Sequence, residues 1–191
     1  MMGVVRKLSK RAPADLKRRV DAVAVLADEI WREHFTPIIG TAQVEYMLAK
    51  FQSAERIFAD ITENGYVYFT IDDAGGDTDK DKGQDAENDA GGGGLVGYCG
   101  VVPGEDFLLI SKLYIHAGRR GRGYGRRLFD EAVELCRQEY GFDKIRLTVN
   151  KYNQKTIDAY VQMGFQTVDS VKTDIGGGFF MDDFVMELSI E

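Results

Sequence analysis

Residues 113–127 read LYIHAGRRGRGYGRR, a stretch that passes from an apolar strand through glycines and arginines into a helix. A helix that begins directly after such a loop exposes its first backbone N–H groups and the positive end of its dipole. Glycines let an anion approach those amides closely, and arginines add charged donors for phosphate oxygens. The stretch therefore predicts a binding site for a phosphate-bearing ligand.

The distribution of charge favours a small anionic ligand over a nucleic acid. The net charge is −7, whereas the five arginines between Gly118 and Arg127 have no acid among them. The glycines follow a Gly-x-Gly-x-Gly spacing, not the Gly-x-Gly-x-x-Gly of dinucleotide sites, and the next predicted strand ends in Asn150 instead of a ribose-binding acid. The residues alone leave the ligand open, and a solvated arginine-rich helix start is the alternative.

Hydrophobic periodicity around this stretch predicts the remaining elements. Helices are expected from residue 13, with Asp15 as the N-cap, from near Thr41, over 124–140 and over 154–163. Strands are expected at 4–8, 66–71, 95–102, 106–116, 144–150, 167–172 and 179–190. Helices and strands mix without strict alternation, which indicates an α/β or α+β domain on a mixed central sheet of about seven strands.

The segment 72–94 differs in composition from the rest of the chain. It contains acids and glycines, two lysines and no large apolar residue, so we expect a flexible loop between two strands. Residues Asp77 to Asp81 imitate the start of a calcium loop, but Lys82 replaces the required glycine and Asn88 the closing glutamate. A solvated linker is the expectation here, and we predict no metal site.

Composition limits the class of protein. The 191 residues are 44% hydrophobic and 29% charged, which fits a single domain spanning 1–191. No apolar run approaches the ~20 residues of a membrane span, and the N-terminus lacks a secretory leader. Cys99 and Cys136 lie in apolar segments and are expected to be reduced core thiols. We expect a cytoplasmic protein, monomeric or homodimeric, that binds neither membranes nor nucleic acid.

Two segments together resemble the GNAT N-acetyltransferase superfamily. LYIHAGRRGRGYGRRL is similar to its cofactor loop, Gln/Arg-x-x-Gly-x-Gly/Ala, at Arg120, Gly123 and Gly125. LTVNKYNQKTIDAYVQMGF, residues 147–165, resembles its strand-helix unit at Asn153, Ala159, Tyr160, Gly164 and Phe165. The resemblance covers residues 95–191 well and the N-terminal helices loosely. It implies a single GNAT-like domain with helices on both faces of the sheet.

The resemblance also implies how acetyl-CoA, the cosubstrate, would bind. Two strands splay apart in this family, and backbone groups of Leu113, Tyr114 and Ile115 would pair with the pantetheine amides. The pyrophosphate would take backbone amides of the loop and helix start. These are the amides of Gly121, Arg122, Gly123, Tyr124, Gly125 and Arg126, beside the Arg120 side chain. Asn153 would hydrogen-bond the cofactor from the following helix.

Tyr160 is the catalytic residue that the resemblance implies. Its hydroxyl would donate a proton to the departing thiolate as general acid. Without the family context, Tyr160 would read as a core tyrosine on a helix face. The general base stays open among Glu105 or Asp106, Glu33 or His34, Asp182 or Asp183, and a water chain.

The acceptor is suggested only by further resemblance. The W-x-x-H-F segment at 31–35 and the ending GGGFFMDDFVMEL resemble the bacterial polyamine and small-amine branch. Acids such as Glu33, Asp182 and Asp183 suit a cationic amine. The alternatives are a protein N-terminal or lysine acetyltransferase, whose acceptor is a peptide amine, and a noncatalytic acyl-CoA-binding sensor.

Overall fold

The computed structural model describes residues 3–73 and 94–190. Their strands form one seven-stranded sheet in the order β1-β2-β3-β4-β5-β7-β6. Every neighbouring pair is antiparallel except β4 and β5, which are parallel. The predicted mixed sheet of about seven strands is confirmed.

The elements follow one another along the chain in the order predicted, with one helix added. The strands are β1 (Val4–Lys7), β2 (Val67–Asp72), β3 (Leu95–Pro103), β4 (Leu108–Ile115), β5 (Lys144–Asn150), β6 (Gln166–Gly176) and β7 (Phe179–Ser189). The helices are α1 (Pro13–Ile39), α2 (Thr41–Phe51), α3 (Ala54–Thr62), α4 (Tyr124–Leu135) and α5 (Gln154–Gln162).

Helices cover both faces of the sheet and create two cores. The apolar stripe of α1 packs with α2 and α3 on one face, and its residues Leu16, Val20, Val23 and Ile30 are at most 2% exposed. Each such fully buried side chain contributes roughly 1.5–3 kcal/mol. Helices α4 and α5 pack on the other face through residues such as Leu128. The sheet therefore lies between two apolar cores.

Helix α3 was not predicted, and the N-cap of α1 was assigned wrongly. Ser53 caps α3 by accepting a hydrogen bond from the Arg56 N–H at 3.2 Å. The helix has only nine residues, too few for its periodicity to be distinguished from the end of α2. At α1, Pro13 begins the helix, and Asp15 lies in its first turn, paired with Arg18 at 2.9 Å. Proline lacks an N–H and has a helical φ, so it suits the first position.

Two other boundaries differ from the sequence prediction. Helix α4 ends at Leu135, and a π-helical turn continues over Cys136–Tyr140. Asp72, predicted to start the flexible loop 72–94, is the last residue of β2. The loop prediction, and the calcium-like residues within it, otherwise lie outside the described residues, apart from Asp73 and Gly94. Within the described ranges no helix is long and apolar enough to span a membrane.

Candidate functional site

Strands β4 and β5 separate after a short parallel pairing. Their register joins Leu108 to Ile145, Leu109 to Arg146 and Ile110 to Leu147, and no pairing between the two strands follows. The last five residues of β4, Ser111 to Ile115, thus have no partner on β5. The main chain there offers unpaired hydrogen-bonding groups, as the edge of a sheet does.

The backbone direction at the end of β4 identifies which groups face the gap between the separating strands β4 and β5 (the splay). The His116 N–H donates to Val96 O on β3 at 2.9 Å. Because successive N–H groups on a strand point to opposite sides, the Ile115 N–H faces the splay. The Arg120 side chain donates to Ile115 O at 3.1 Å, which brings its guanidinium to the mouth of the splay.

The loop after β4 delivers an uncapped helix N-terminus to the same place. Gly121 and Gly123 have positive φ angles of 76° and 80°, and Gly123 is the N-cap of α4 in a left-handed conformation. No side chain caps the helix, so its first N–H groups are available to a ligand. These features fit the pyrophosphate that the sequence predicts.

Most arginines of the loop already have partners within the protein. Arg119 and Arg122 pair with Asp73 at 3.4 and 4.0 Å, and the Tyr124 hydroxyl donates to the same carboxylate at 2.7 Å. Arg126 pairs with Asp130 at 2.8 Å, and Arg127 donates to Gly3 O. The predicted cationic cluster is therefore partly neutralised by Asp73, and backbone amides remain the main anion donors.

Tyr160 lies on α5 beside the splay. Its ring contacts Phe165 at a centroid distance of 5.5 Å, and its hydroxyl makes no hydrogen bond to another described residue. Burial raises the pKa of the Tyr160 phenol well above its usual value, and the nearby Cys99 thiol raises it further. The hydroxyl is consequently protonated at neutral pH and able to donate.

Asn153 contacts helix α1, which the sequence did not predict. It precedes α5 and is only 6% exposed. Its side-chain Nδ2 lies 3.1 Å from Nε2 of His34. Burial lowers the pKa of His34, and Arg120 nearby lowers it further, so the imidazole is neutral and accepts this bond at Nε2. The first helix thus contacts the start of α5 through His34.

An aromatic wall lines the α1 side of the splay. The Tyr114 ring contacts Trp31 at 5.8 Å, Phe35 at 6.1 Å and Tyr98 at 5.4 Å between centroids. Burial raises the pKa of Tyr114, and the proximity of Tyr160 and Asp183 raises it further. Tyr114 therefore joins the open edge of β4 to α1 and β3.

The structure separates the candidate bases that the sequence left open. Asp106 lies two residues before β4, at the opposite end of the strand from Ile115, and pairs with Lys144 at 3.0 Å. Glu33 and Glu105 are exposed on the surface. Of the carboxylates in β7, Asp182 pairs with Lys151, whereas Asp183 is 6% exposed and its Oδ1 has no hydrogen-bond partner within residues 3–73 and 94–190. Asp183 and His34 are the two candidates that remain near the splay.

A family model supplies the independent comparison. The model of the acetyltransferase (GNAT) family matches residues 69–165, about half of the chain. The chain belongs to this family. The predicted family, fold and enzyme class are confirmed at that level, with acetyl-CoA as the acyl donor of GNAT acetyltransferases.

An individual curated protein resembles this chain over only part of its length. A Bacillus subtilis (strain 168) protein, provisionally described as a ribosomal protein bS18-alanine N-acetyltransferase, is 34% identical over 74 residues. That match covers 39% of this chain and 48% of the relative, so the chain spans about half the length of the curated relative it matches.

Solved structures confirm the fold. The PaiA N-acetyltransferase of Thermoplasma acidophilum, in complex with coenzyme A, has a TM-score of 0.72 and 19% identity, covering 99% of both chains. A spermidine N-acetyltransferase chimera from Vibrio cholerae and hSSAT has a TM-score of 0.57 and 16% identity, covering 99% of this chain and 96% of that one. At these identities the likeness shows the fold alone.

Three features of the site could not be predicted from the sequence. Asp73 holds two loop arginines, His34 contacts Asn153, and only one of two adjacent aspartates is left without a partner. Each joins residues far apart along the chain. Local periodicity gives no sign of such contacts.

Proposed function

We propose that this protein transfers the acetyl group of acetyl-CoA to the primary amine of a small cationic acceptor. The observation that supports it best is the open edge of β4, which leads through the glycine loop into the uncapped N-terminus of α4. Tyr160 packs on the α4 face of the sheet and raises the pKa of Tyr114 in that open edge. The edge, the helix start and Tyr160 each correspond to one requirement of acetyl transfer: holding the arm, holding the phosphates and protonating the leaving group.

We assign the binding of acetyl-CoA mainly to main-chain groups. Leu113 and Ile115 would pair with the pantetheine amides from the open edge, whereas the backbone N–H and C=O of Tyr114, predicted to do the same, face β3. The amides from Gly121 to Arg126 would hold the pyrophosphate, with Arg120 close by at the mouth of the splay. Asn153, now bonded to His34, would offer its amide from the start of α5.

The chemistry needs a proton donor and a polarised carbonyl. Acetyl-CoA supplies a thioester whose carbonyl carbon accepts the amine nitrogen. The Ile115 N–H, which faces the splay, would stabilise negative charge developing on the carbonyl oxygen. Tyr160 would protonate the leaving sulfur, and its elevated pKa keeps that proton available across the neutral range.

A small cationic acceptor is supported by the lining of the α1 side. Asp183 of β7 shares the α1 face with Trp31, Phe35 and Tyr114, and aromatic rings attract ammonium groups. Asp182, the other acid expected there, pairs with Lys151 instead. This lining agrees with the resemblance to the polyamine and small-amine branch. The spermidine N-acetyltransferase chimera shares the fold.

The N-terminal alanine of a protein is the second candidate acceptor. The local identity of 34% to the Bacillus subtilis relative supports it. A peptide α-amine, like each amine of a polyamine, is mostly an ammonium group at neutral pH, so a carboxylate at the site suits both acceptors.

A free-thiol release assay tests the proposal. Acetyl-CoA is offered with spermidine, amino acids, an aminoglycoside, and a peptide beginning with alanine, and its binding is measured separately by calorimetry. We expect binding and fastest release with spermidine; faster release with the peptide would favour the second candidate. Binding without release in any reaction would indicate an acyl-CoA sensor. A folded sample that does not bind acetyl-CoA would refute the donor assignment.

A further inference from the structure

Asp183 is a buried carboxylate with one unsatisfied oxygen. It is 6% exposed, and its Oδ1 is buried with no hydrogen-bond partner among the described residues. Its neighbour Asp182 pairs with Lys151, so the adjacent position shows what a satisfied aspartate does here. A buried carboxylate oxygen without a donor costs stability, and a ligand that supplies the missing partner is one reason for such a group to be retained.

The register of the sheet determines where this carboxylate lies. Asp183 on β7 is directly opposite Asn150, the last residue of β5. Residues opposite one another share a face of the sheet, and Ile145, Leu147 and Val149 belong to the core on the α4 face. Asn150 and Asp183 therefore point to the α1 face, at the end of β5 where β4 has already separated.

The electrostatics agree with this placement. Asp183 and Tyr160 both raise the pKa of Tyr114. Tyr160 belongs to the core on the α4 face and Tyr114 to the core on the α1 face. The Asp183 carboxylate and the Tyr160 phenol thus lie on opposite faces of the sheet, and both act on Tyr114 of the open edge.

We propose that the Asp183 carboxylate receives the ammonium group of the acceptor at the splay and takes the proton that the ammonium must lose before its nitrogen attacks. This assignment rests on the acetyl transfer proposed above. It makes Asp183 the general base and the residue that selects a cationic acceptor, which the sequence left open among several candidates.

The protons balance as follows. The ammonium gives one proton to Asp183, and the neutral nitrogen then forms the C–N bond as the C–S bond breaks. Tyr160 gives its proton to the departing thiolate and regains one from the nitrogen, which becomes an uncharged amide. Asp183 releases its proton to water, so one acetyl transfer yields the acetylated amine, the free thiol of coenzyme A and one proton.

The groups facing Asp183 set the pH at which it works. Burial raises its pKa to about 6, Asp182 on the same strand raises it, and Lys151 beyond β5 lowers it. Tyr114 faces it from β4, and on β6 Lys172 is directed over the Phe180 ring at 5.2 Å. His34 on α1 is the competing titratable group, since burial lowers its pKa from 6.5. A carboxylate with a pKa near 6 is ionised at neutral pH and is still an effective proton acceptor.

The test is the pH profile of kcat/KM for three variants, with the faster of spermidine and the alanine-initiated peptide as acceptor. Wild type is expected to lose activity below about pH 6. Asp183→Asn is expected to lose about 100-fold or more in kcat/KM and to lose this acid limb, while acetyl-CoA binding by calorimetry is unchanged. A second readout is calorimetric binding of the acceptor to protein saturated with coenzyme A, which Asp183→Asn should weaken.

Two matched controls make the result specific. Asp182→Asn should retain activity and move the acid limb to lower pH, because a negative charge beside Asp183 is removed. His34→Gln should retain the acid limb. An Asp183→Asn variant that keeps the wild-type limb, or a His34→Gln variant that abolishes it, would overturn the assignment. Loss of thiol release in the wild type with every acceptor would instead refute the proposed acetyl transfer.

Discussion

Tyr160 is the residue at which proton donation can be tested alone. Tyr160→Phe removes the hydroxyl and keeps the ring that packs on Phe165. We expect kcat to fall about 100-fold or more with the acetyl-CoA dissociation constant unchanged, measured by thiol release and calorimetry.

A tyrosine outside the site provides the matched control for this substitution. Tyr140 stacks on Phe142 at 5.7 Å in the turn after α4, away from the splay. Tyr140→Phe should therefore leave kcat unchanged. Equal kcat in Tyr160→Phe and wild type would exclude a proton-donating role for Tyr160.

Gly123 contributes conformation to the loop. An added Cβ would meet nothing within 4 Å, so the φ of 80° is the constraint that favours glycine. An L residue in this left-handed conformation costs about 1–2 kcal/mol. Gly123→Ala should lower the melting temperature and weaken coenzyme A binding about tenfold, measured by calorimetry.

Gly125 offers the same substitution two residues further along the chain. Its backbone φ is not positive, and a Cβ there would make an ordinary contact of 3.7 Å with Ile115. Gly125→Ala should retain stability. If Gly123→Ala bound coenzyme A as tightly as wild type, the left-handed helix start would not be what positions the amides.

At the level of elements, α3 braces the strand that forms the open edge. Asp60 of α3 is 1% exposed and accepts hydrogen bonds from Tyr68 on β2 at 3.2 Å and from Lys112 on β4 at 3.3 Å. Arg56 completes the site at 2.8 Å. Lys112 is only 6% exposed, so its charge depends on Asp60.

Removing this carboxylate should be costly because it leaves a buried cation without a partner. Asp60→Ala is expected to destabilise the fold by about 3–5 kcal/mol, measured by urea denaturation. Adding Lys112→Met should recover most of this loss, since the unpaired charge is removed. Equal instability of the single and double variants would mean that Asp60 acts through its other contacts.

At the level of the whole molecule, the unpartnered Asp183 lowers stability. Its pKa is raised to about 6 in the folded state, so the folded protein holds a proton that the unfolded chain releases. The proton bound by Asp183 contributes fully to the free energy of unfolding below about pH 4. This contribution is lost as the pH rises through 6 and is absent above it. The folded protein is therefore less stable at neutral pH, where Asp183 is charged.

Asp183→Asn should remove this loss of stability at neutral pH. The variant is expected to match wild type at pH 4.5 and to exceed it at pH 7.5, by at most about 3 kcal/mol. Urea denaturation of dilute protein at both pH values measures the difference. Asp182→Asn, which breaks the pair with Lys151, should show no such gain. A variant less stable than wild type at pH 7.5 would mean that the carboxylate is satisfied in the folded protein.

The sequence was sufficient where structure depends on neighbouring residues. The stripe of α1 from Leu16 to Ile30, the glycine turn between β6 and β7, and the strand-loop-helix unit around Gly123 all follow from periodicity or from φ preferences. It was insufficient for α3, which is short, and for the start of α1, where Pro13 takes precedence over Asp15.

What the sequence determined by itself is the family, the mixed sheet and a helix start suited to phosphate, because these are written in short motifs. Only the tertiary structure decided which charges are free. It placed Asp73 on Arg119 and Arg122, paired Asp182 with Lys151, and left Asp183 buried beside Tyr114. Asp182 and Asp183 are adjacent in the chain, but alternate strand residues face opposite sides of a sheet, and packing alone determines which side meets the splay.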